Sequence, residues 1–255
     1  MRQIFPVCDE AVDLGAIYRP PSLAHGFWRT NMVTTVNGAV EVGGVSRPLS
    51  SGADRKTFQV IRAFADAVVI GRGNAIAEGY TSLAAPNLPE EIPMATAAAP
   101  KLVVVARSLD GLATAPLAGS DKQVVIATSA ARRDEAEHLA QSFKVEPSFL
   151  FLGESEIEMG LLRSTLSDLG YRSVVCEGGP TLLGLLLAGG AIDEICLTIT
   201  PLAAPSHHGG PFGAGGGFGL IQLKLSSVLE EDGTLLYRYG LRTGDRPGQD
   251  RGRVP

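Results

Sequence analysis

The sequence predicts an α/β domain with a mostly parallel central sheet. Three observations carry that expectation. Short apolar runs of strand length recur along most of the chain, segments with helical spacing of apolar residues alternate with them, and the last two runs are joined by Glu231-Asp232-Gly233, a hairpin signal that breaks the alternation. At 255 residues, with 45% hydrophobic and 19% charged residues, the chain is long enough to bury a full core as one large domain.

Taken in order, residues 28–36, 67–71, 102–106, 123–127, 149–152, 172–176 and 194–200 read as strands. A first helix starts near Ser51, a candidate N-cap, and runs through Asp54, Phe58, Ile61 and Ala65 with apolar positions three to four apart. A second covers residues 130–142, charged on one side through Arg132, Arg133, Asp134 and Glu135. In a third, Ile157, Leu161, Leu162, Leu166 and Leu169 form an apolar face, and Gly170 stands where a C-cap glycine would. Residues 181–189 read as a helix apolar around most of its circumference. Runs 222–230 and 234–241 form the hairpin, expected to close one edge of the sheet. The expected domain is 1–243, followed by a disordered tail from Gly244 to Pro255. Two loops stand out. Residues 84–100, with four prolines, read as a surface connection, and the glycine-rich 205–219 either serves function at a strand end or connects plainly.

Composition excludes several classes. A net charge of −5 offers no basic surface for nucleic acid. No run of about 18 uninterrupted apolar residues suggests a membrane span. The start, Met1 to Pro6, lacks the apolar region of a signal peptide, so the expected address is the cytoplasm. Cys8, Cys176 and Cys196 have no metal-ligand spacing, and the last two sit in apolar strand patterns as buried fillers. His207-His208 lie in the glycine-rich loop, read as a solvated turn, and no metal is expected.

Four segments carry the candidate chemistry. Cys176-Glu177-Gly178-Gly179-Pro180-Thr181-Leu182-Leu183 joins an apolar strand to an apolar helix through adjacent glycines. Glycine lets an anion reach the backbone, and the helix start supplies unpaired N–H groups and partial positive charge. Asn31 to Ala39 ends a strand in a turn, and Val69 to Tyr80 is a strand followed by a glycine-rich loop. Val104 to Ser108 is a strand ending in a guanidinium and a hydroxyl, a pair suited to a phosphomonoester.

In this order the segments resemble the reductase half of the bifunctional deaminase-reductase of riboflavin biosynthesis, a family similar in fold to dihydrofolate reductase. The resemblance runs from about Arg29 to Leu241 and is most specific over Asn31 to Ala39 and Cys176 to Pro201. It implies a single dihydrofolate-reductase-like domain, a homodimer, and reduction by NADPH without metal or flavin. Carried over by position, Gly71, Gly73 and Asn74 match the first cofactor loop. Glu177, Gly178, Gly179 and Thr181 match the loop under the pyrophosphate, and Arg107 and Ser108 take the place of the 2′-phosphate site. Asn31, Val33, Thr35 and Asn37 would line the nicotinamide and substrate side, with Asn37 as the candidate catalytic group. Ser50, Ser51 and Asp54 would lie near the substrate phosphate, although a helix N-terminal role accounts equally well for Asp54.

Departures refine the expectation. The His-x-Glu and Pro-Cys-x-x-Cys pattern of the deaminase half is absent, so a stand-alone reductase is expected. Asn37 stands where relatives more often have aspartate, and an amide cannot deliver a proton. Ala77-Glu78-Gly79 replaces a pair of aspartates followed by proline, which bears on substrate. The leading substrate is a ribosylamino-pyrimidine phosphate. The alternatives are a dihydrofolate- or pterin-type substrate and an NADPH-binding protein without turnover.

Overall fold

The computed structural model describes residues 1–24, 26–85, 98–205, 210–213 and 217–241. The expectations for the 244–255 tail and for His207-His208 lie outside the described residues, as does the stretch 86–97 of the proline-rich loop.

The strands are β1 (Arg2–Phe5), β2 (Phe27–Thr35), β3 (Ala67–Gly71), β4 (Lys101–Val105), β5 (Val125–Thr128), β6 (Ser148–Phe151), β7 (Ser173–Cys176), β8 (Glu194–Thr200), β9 (Leu223–Glu231) and β10 (Thr234–Leu241). The helices are α1 (Leu14–Tyr18), α2 (Gly52–Ala63), α3 (Arg72–Ala77), α4 (Arg133–Ala140), α5 (Met159–Asp168) and α6 (Pro180–Ala188). Among the described residues the strands form one sheet in the order β1-β9-β10-β8-β2-β7-β3-β4-β5-β6. From β8 to β6 every pairing is parallel, while β10, β9 and β1 run antiparallel to their neighbours. The α/β class read from the sequence is the fold observed.

The central strands are covered on both sides. In β3, Ala67 and Val69 join α5 and α6 in one core, and Val68 and Ile70 join α3 and α4 in another; β4 alternates the same way. Burial on both faces makes these strands continuous apolar runs. A third cluster packs α1 and α2 on β7, β8, β9 and β10 through Tyr18, Val60, Ile61, Val175, Cys196, Leu229 and Leu236.

Local signals explain the element ends. The Ser51 hydroxyl accepts from the Asp54 N–H at 3.2 Å and caps α2 as expected. Gly170, at φ +89°, follows α5, with its N–H on Ser167 O and the Tyr171 N–H on Leu166 O, the paired bonds of a Schellman end. Asp232 (φ +50°) and Gly233 (φ +76°) make the two-residue hairpin turn.

Two expectations need correction. The hairpin does not close the sheet, because β1 pairs antiparallel with β9 and forms that edge. Its burial is mostly exposed, so no apolar alternation announced it. The stretch after β3 is also not simply a glycine-rich loop, since Arg72–Ala77 is a short helix started by Gly71 and anchored by buried Ala75.

Beneath α1 lies a buried charge cluster on β2, β8 and β10. Glu194 receives Arg238 at 2.6 Å and Arg29 at 3.1 Å, and Arg29 also donates to Tyr18 O at 2.6 Å. The Arg29 and Glu194 side chains are 2% and 7% exposed, so water cannot substitute for the pairing.

Candidate active site

The C-terminal ends of the parallel strands converge where the strand order reverses. The chain passes from β2 over β7 to β3 and on to β4 in one direction, whereas β7 leads through α6 to β8 on the other side of β2. Open α/β sheets bind ligands in the crevice outside such a switch point.

One part of the site is the glycine turn between β7 and α6. Glu177 N–H donates to Val69 O at 3.1 Å and Gly71 N–H to Gly178 O at 2.8 Å, which fastens the turn to the end of β3. Gly178 has φ +92°, and a Cβ there would stand 3.1 Å from Met32 Sδ. Nothing lies within 4 Å of a Cβ at Gly179. Pro180 opens α6 at a position that needs no N–H, and no side chain caps the helix. Open space at Gly179 beside an uncapped helix start is a cradle for a phosphate. The cradle thus fits the pyrophosphate of a dinucleotide. Thr181 is exposed on the first turn of α6, and Gly213, in the described part of the glycine-rich loop, packs so close that its Cβ would stand 3.1 Å from Pro180 O.

Gly71, Gly73 and Asn74 meet this turn differently. A Cβ at Gly71 would lie 3.6 Å from Gly179 N, Gly73 faces open space, and Asn74 Nδ2 donates to Glu177 O at 3.2 Å. Asn74 therefore braces the cradle. At the end of β4, beside Gly71, Arg107 is exposed and the Ser108 hydroxyl donates to Asp110 at 2.5 Å.

Next to the cradle opens a cavity of about 480 Å³, of the size small-molecule sites have. Asn31 and Val33 of β2 form one wall, Asp54, Phe58 and Arg62 of α2 another, and Tyr80 a third. Glu177 turns its carboxylate into this cavity and away from the cradle, where Arg62 grips it through two 2.6 Å bonds and the Tyr80 hydroxyl donates at 2.9 Å. Its side chain is thus a cavity wall, and only its backbone belongs to the cradle. Burial, then the Glu177 charge, pushes the Tyr80 hydroxyl far above its ordinary range. Burial alone would lower the Arg62 pKa, but the Glu177 charge and hydrogen bonds raise it, so the guanidinium stays charged. The guanidinium lies over Phe58 at 4.1 Å and faces Tyr80 at 6.0 Å, giving a flat, polarisable surface.

On the other side of the cavity Asp54 is 6% exposed. Ser50 Oγ donates to it at 2.5 Å, and Thr198 of β8 also bonds it. Burial raises its pKa, against the opposing pull of Ser50, Thr198 and Arg55. Ser51, by contrast, is spent on the helix cap. Glu78 accepts the Ser46 N–H at 2.6 Å and pins the segment that brings Arg47 to the cavity.

Thr35 and Asn37 lie off the cavity wall. Thr35 Oγ1 donates to Asn37 Oδ1 at 2.7 Å, Asn37 Nδ2 donates to Ala204 O at 2.8 Å, and Ala204 N–H returns to Asn37 Oδ1 at 3.2 Å. Asn37, exposed, ties the end of β2 to the segment after β8. Both amide atoms of Asn37 are thus engaged within the chain, which gives the side chain a structural task.

A family model described as the RibD C-terminal domain matches residues 27–235. The chain belongs to the RibD C-terminal domain family. This RibD C-terminal domain is 24% identical, over 83% of its length and 96% of the relative's, to the 2,5-diamino-6-ribosylamino-4(3H)-pyrimidinone 5′-phosphate reductase of Methanothermobacter thermautotrophicus. Its fold is shared with a pyrimidine reductase-like protein of Corynebacterium diphtheriae (TM-score 0.76, 22% identity, 91% of this chain and 99% of that one). It also matches RibD of Acinetobacter baumannii (TM-score 0.65, 21% identity), of which it spans 59% while 86% of this chain is covered.

Reading the sequence of this RibD C-terminal domain missed Arg47, Arg55, Phe58, Arg62 and Tyr80. A signal existed for part of the set: Arg55, Phe58 or Gln59, and Arg62 recur at three- to four-residue spacing, one face of α2 turned to the cavity.

Proposed function

We propose that this chain is an NADPH-dependent reductase acting on a ribosylamino-pyrimidine phosphate. The observation that carries the reading is the placement of a small-molecule cavity directly against a glycine cradle built for phosphate, both at the switch point of the sheet. The activity of the Methanothermobacter relative supports the substrate class. Bound NADPH would supply a hydride. The cradle and the first turn of α6 would hold its pyrophosphate, and Arg107 its 2′-phosphate. Asn31 and Val33 would set the nicotinamide against the substrate, whose flat ring suits the Phe58–Arg62–Tyr80 wall. Arg47 and Arg55 at the cavity would receive its phosphate. The protein's contribution is then alignment and exclusion of water, since the cofactor carries the electrons.

Purified protein should alter NADPH fluorescence and oxidise the cofactor when given the pyrimidine substrate but not a dihydropterin. Arg107→Ala should weaken NADPH by roughly ten- to a hundredfold, the worth of a charge-assisted hydrogen bond, and leave NADH almost unchanged. Equal weakening of both would remove Arg107 from the site.

The homodimer belongs to the same proposal. Leu197, Ile199, Tyr237 and Tyr239 share a half-buried face of β8 and β10, with the two tyrosines stacked at 5.9 Å. A second copy burying this face would form an isologous contact. Tyr237→Lys should then sediment as a monomer where the wild type sediments as a dimer.

A further inference from the structure

We propose that Asp54, acting through the Ser50 hydroxyl, delivers the proton that must accompany hydride transfer in this cavity. The inference rests on the reductase reading above. Reduction of a ribosylamine consumes one proton, and Asn37, tied to Ala204, has no acid to offer. Asp54 and Ser50 both face the cavity, joined by a 2.5 Å hydrogen bond. Asp54 is held from behind by Thr198, which lies in β8 opposite Val33 of β2. The proton path therefore runs alongside the wall assigned to the nicotinamide.

The charges near Asp54 do not force it to ionise. Burial dominates and raises its pKa, and Arg55, on the same helix, is the one charged group that opposes this. Thr198 and Ser50, from the other elements packed against it, are uncharged; Arg47 and Glu41 line the same cavity. Arg62, the remaining buried cation there, is neutralised by Glu177.

The substrate's C1′–O4′ bond breaks, its electron pair goes to O4′, and O4′ takes the proton from Ser50 as Ser50 takes one from Asp54. The nitrogen lone pair forms C1′=N, and bound NADPH would supply the hydride and two electrons that C1′ takes up, returning the π pair to nitrogen. One NADPH and one proton are consumed, and the Asp54 carboxylate is reprotonated from solvent.

The test compares wild type, Asp54→Asn, Ser50→Ala and the double variant, measuring NADPH oxidation with the pyrimidine substrate across about pH 5 to 9. Wild-type kcat should fall as pH rises through the Asp54 pKa. Asp54→Asn should lose about 10²- to 10⁴-fold in kcat together with that pH dependence, while NADPH binding by fluorescence is unchanged. The double variant should be no slower than Asp54→Asn, since the two residues act as a unit. An independent reading needs no turnover. With its pKa raised in the native state, Asp54 keeps a proton that the unfolded chain has lost, so stability falls as pH climbs above the ordinary aspartate value; Asp54→Asn should flatten that slope in thermal unfolding. An unchanged slope, a variant with wild-type kcat and pH profile, or losses that add in the double variant would overturn the relay and leave the reductase reading standing. A wild type that binds NADPH but fails to oxidise it with any of the acceptors supplied would overturn both.

Discussion

Arg62→Ala should destabilise the protein by about 3–5 kcal/mol, the cost of stripping one partner from a buried ion pair. The Arg62 and Glu177 side chains are 14% and 3% exposed, and the pair is joined through two 2.6 Å bonds. Alanine would leave a carboxylate in the cavity wall with only the Tyr80 hydroxyl to satisfy it. Urea unfolding of the variant measures the loss. The double variant Arg62→Ala, Glu177→Leu should recover much of it, because removing both charges removes the unpaired one. A loss below about 1 kcal/mol, typical of an exposed pair, would mean that water reaches Glu177 freely.

The two cradle glycines should respond in opposite ways to valine. Gly178 sits at φ +92°, where any side chain is strained, and a Cβ would press on Met32 Sδ at 3.1 Å. Gly178→Val should therefore lose stability and NADPH binding together. Gly179 has φ −68° and nothing within 4 Å of a Cβ, so Gly179→Val should keep its circular dichroism and unfolding midpoint yet abolish NADPH binding by filling the space meant for phosphate. If Gly179→Val binds NADPH as well as wild type does, the phosphate is held elsewhere. The backbone angle is what separates the two glycines.

What could be read from the sequence follows burial. β3 and β4 were legible because continuous apolar runs of strand length mark strands covered on both faces, and the ends of α5 and the last hairpin because Gly170 and Asp232-Gly233 need left-handed backbone. β1 was not, since an exposed edge strand with a terminal Arg-Gln has no periodicity to show. In the site, the glycine turn was legible because glycine has few other uses between a strand and a helix. The direction of the Glu177 side chain was not legible, because a residue's neighbours in sequence do not reveal which way it turns, and its partners Arg62 and Tyr80 lie 115 and 97 residues away. The tie between Asn37 and Ala204 was hidden for the same reason, the two being 167 residues apart.

The Arg29–Glu194–Arg238 cluster bears on how the chain finds its alignment. Across β10 and β8, Arg238 stands opposite Cys196 and shares its face with Leu236, whereas Tyr237 and Tyr239 point the other way. Slipping β10 by one residue against β8 would exchange those faces, carry the guanidinium away from Glu194, and offer an aromatic ring to a carboxylate already cut off from water. Apolar contacts alone would punish such a slip weakly, because β10 carries leucines on both faces, Leu236 on one and Leu235 and Leu241 on the other. The charges punish it heavily, since a buried ion without its partner is among the costliest errors a chain can make. The cluster acts as a ratchet tooth: it adds little to the depth of the correct alignment and much to the height of its neighbours, at the seam where the parallel and antiparallel halves of the sheet are joined.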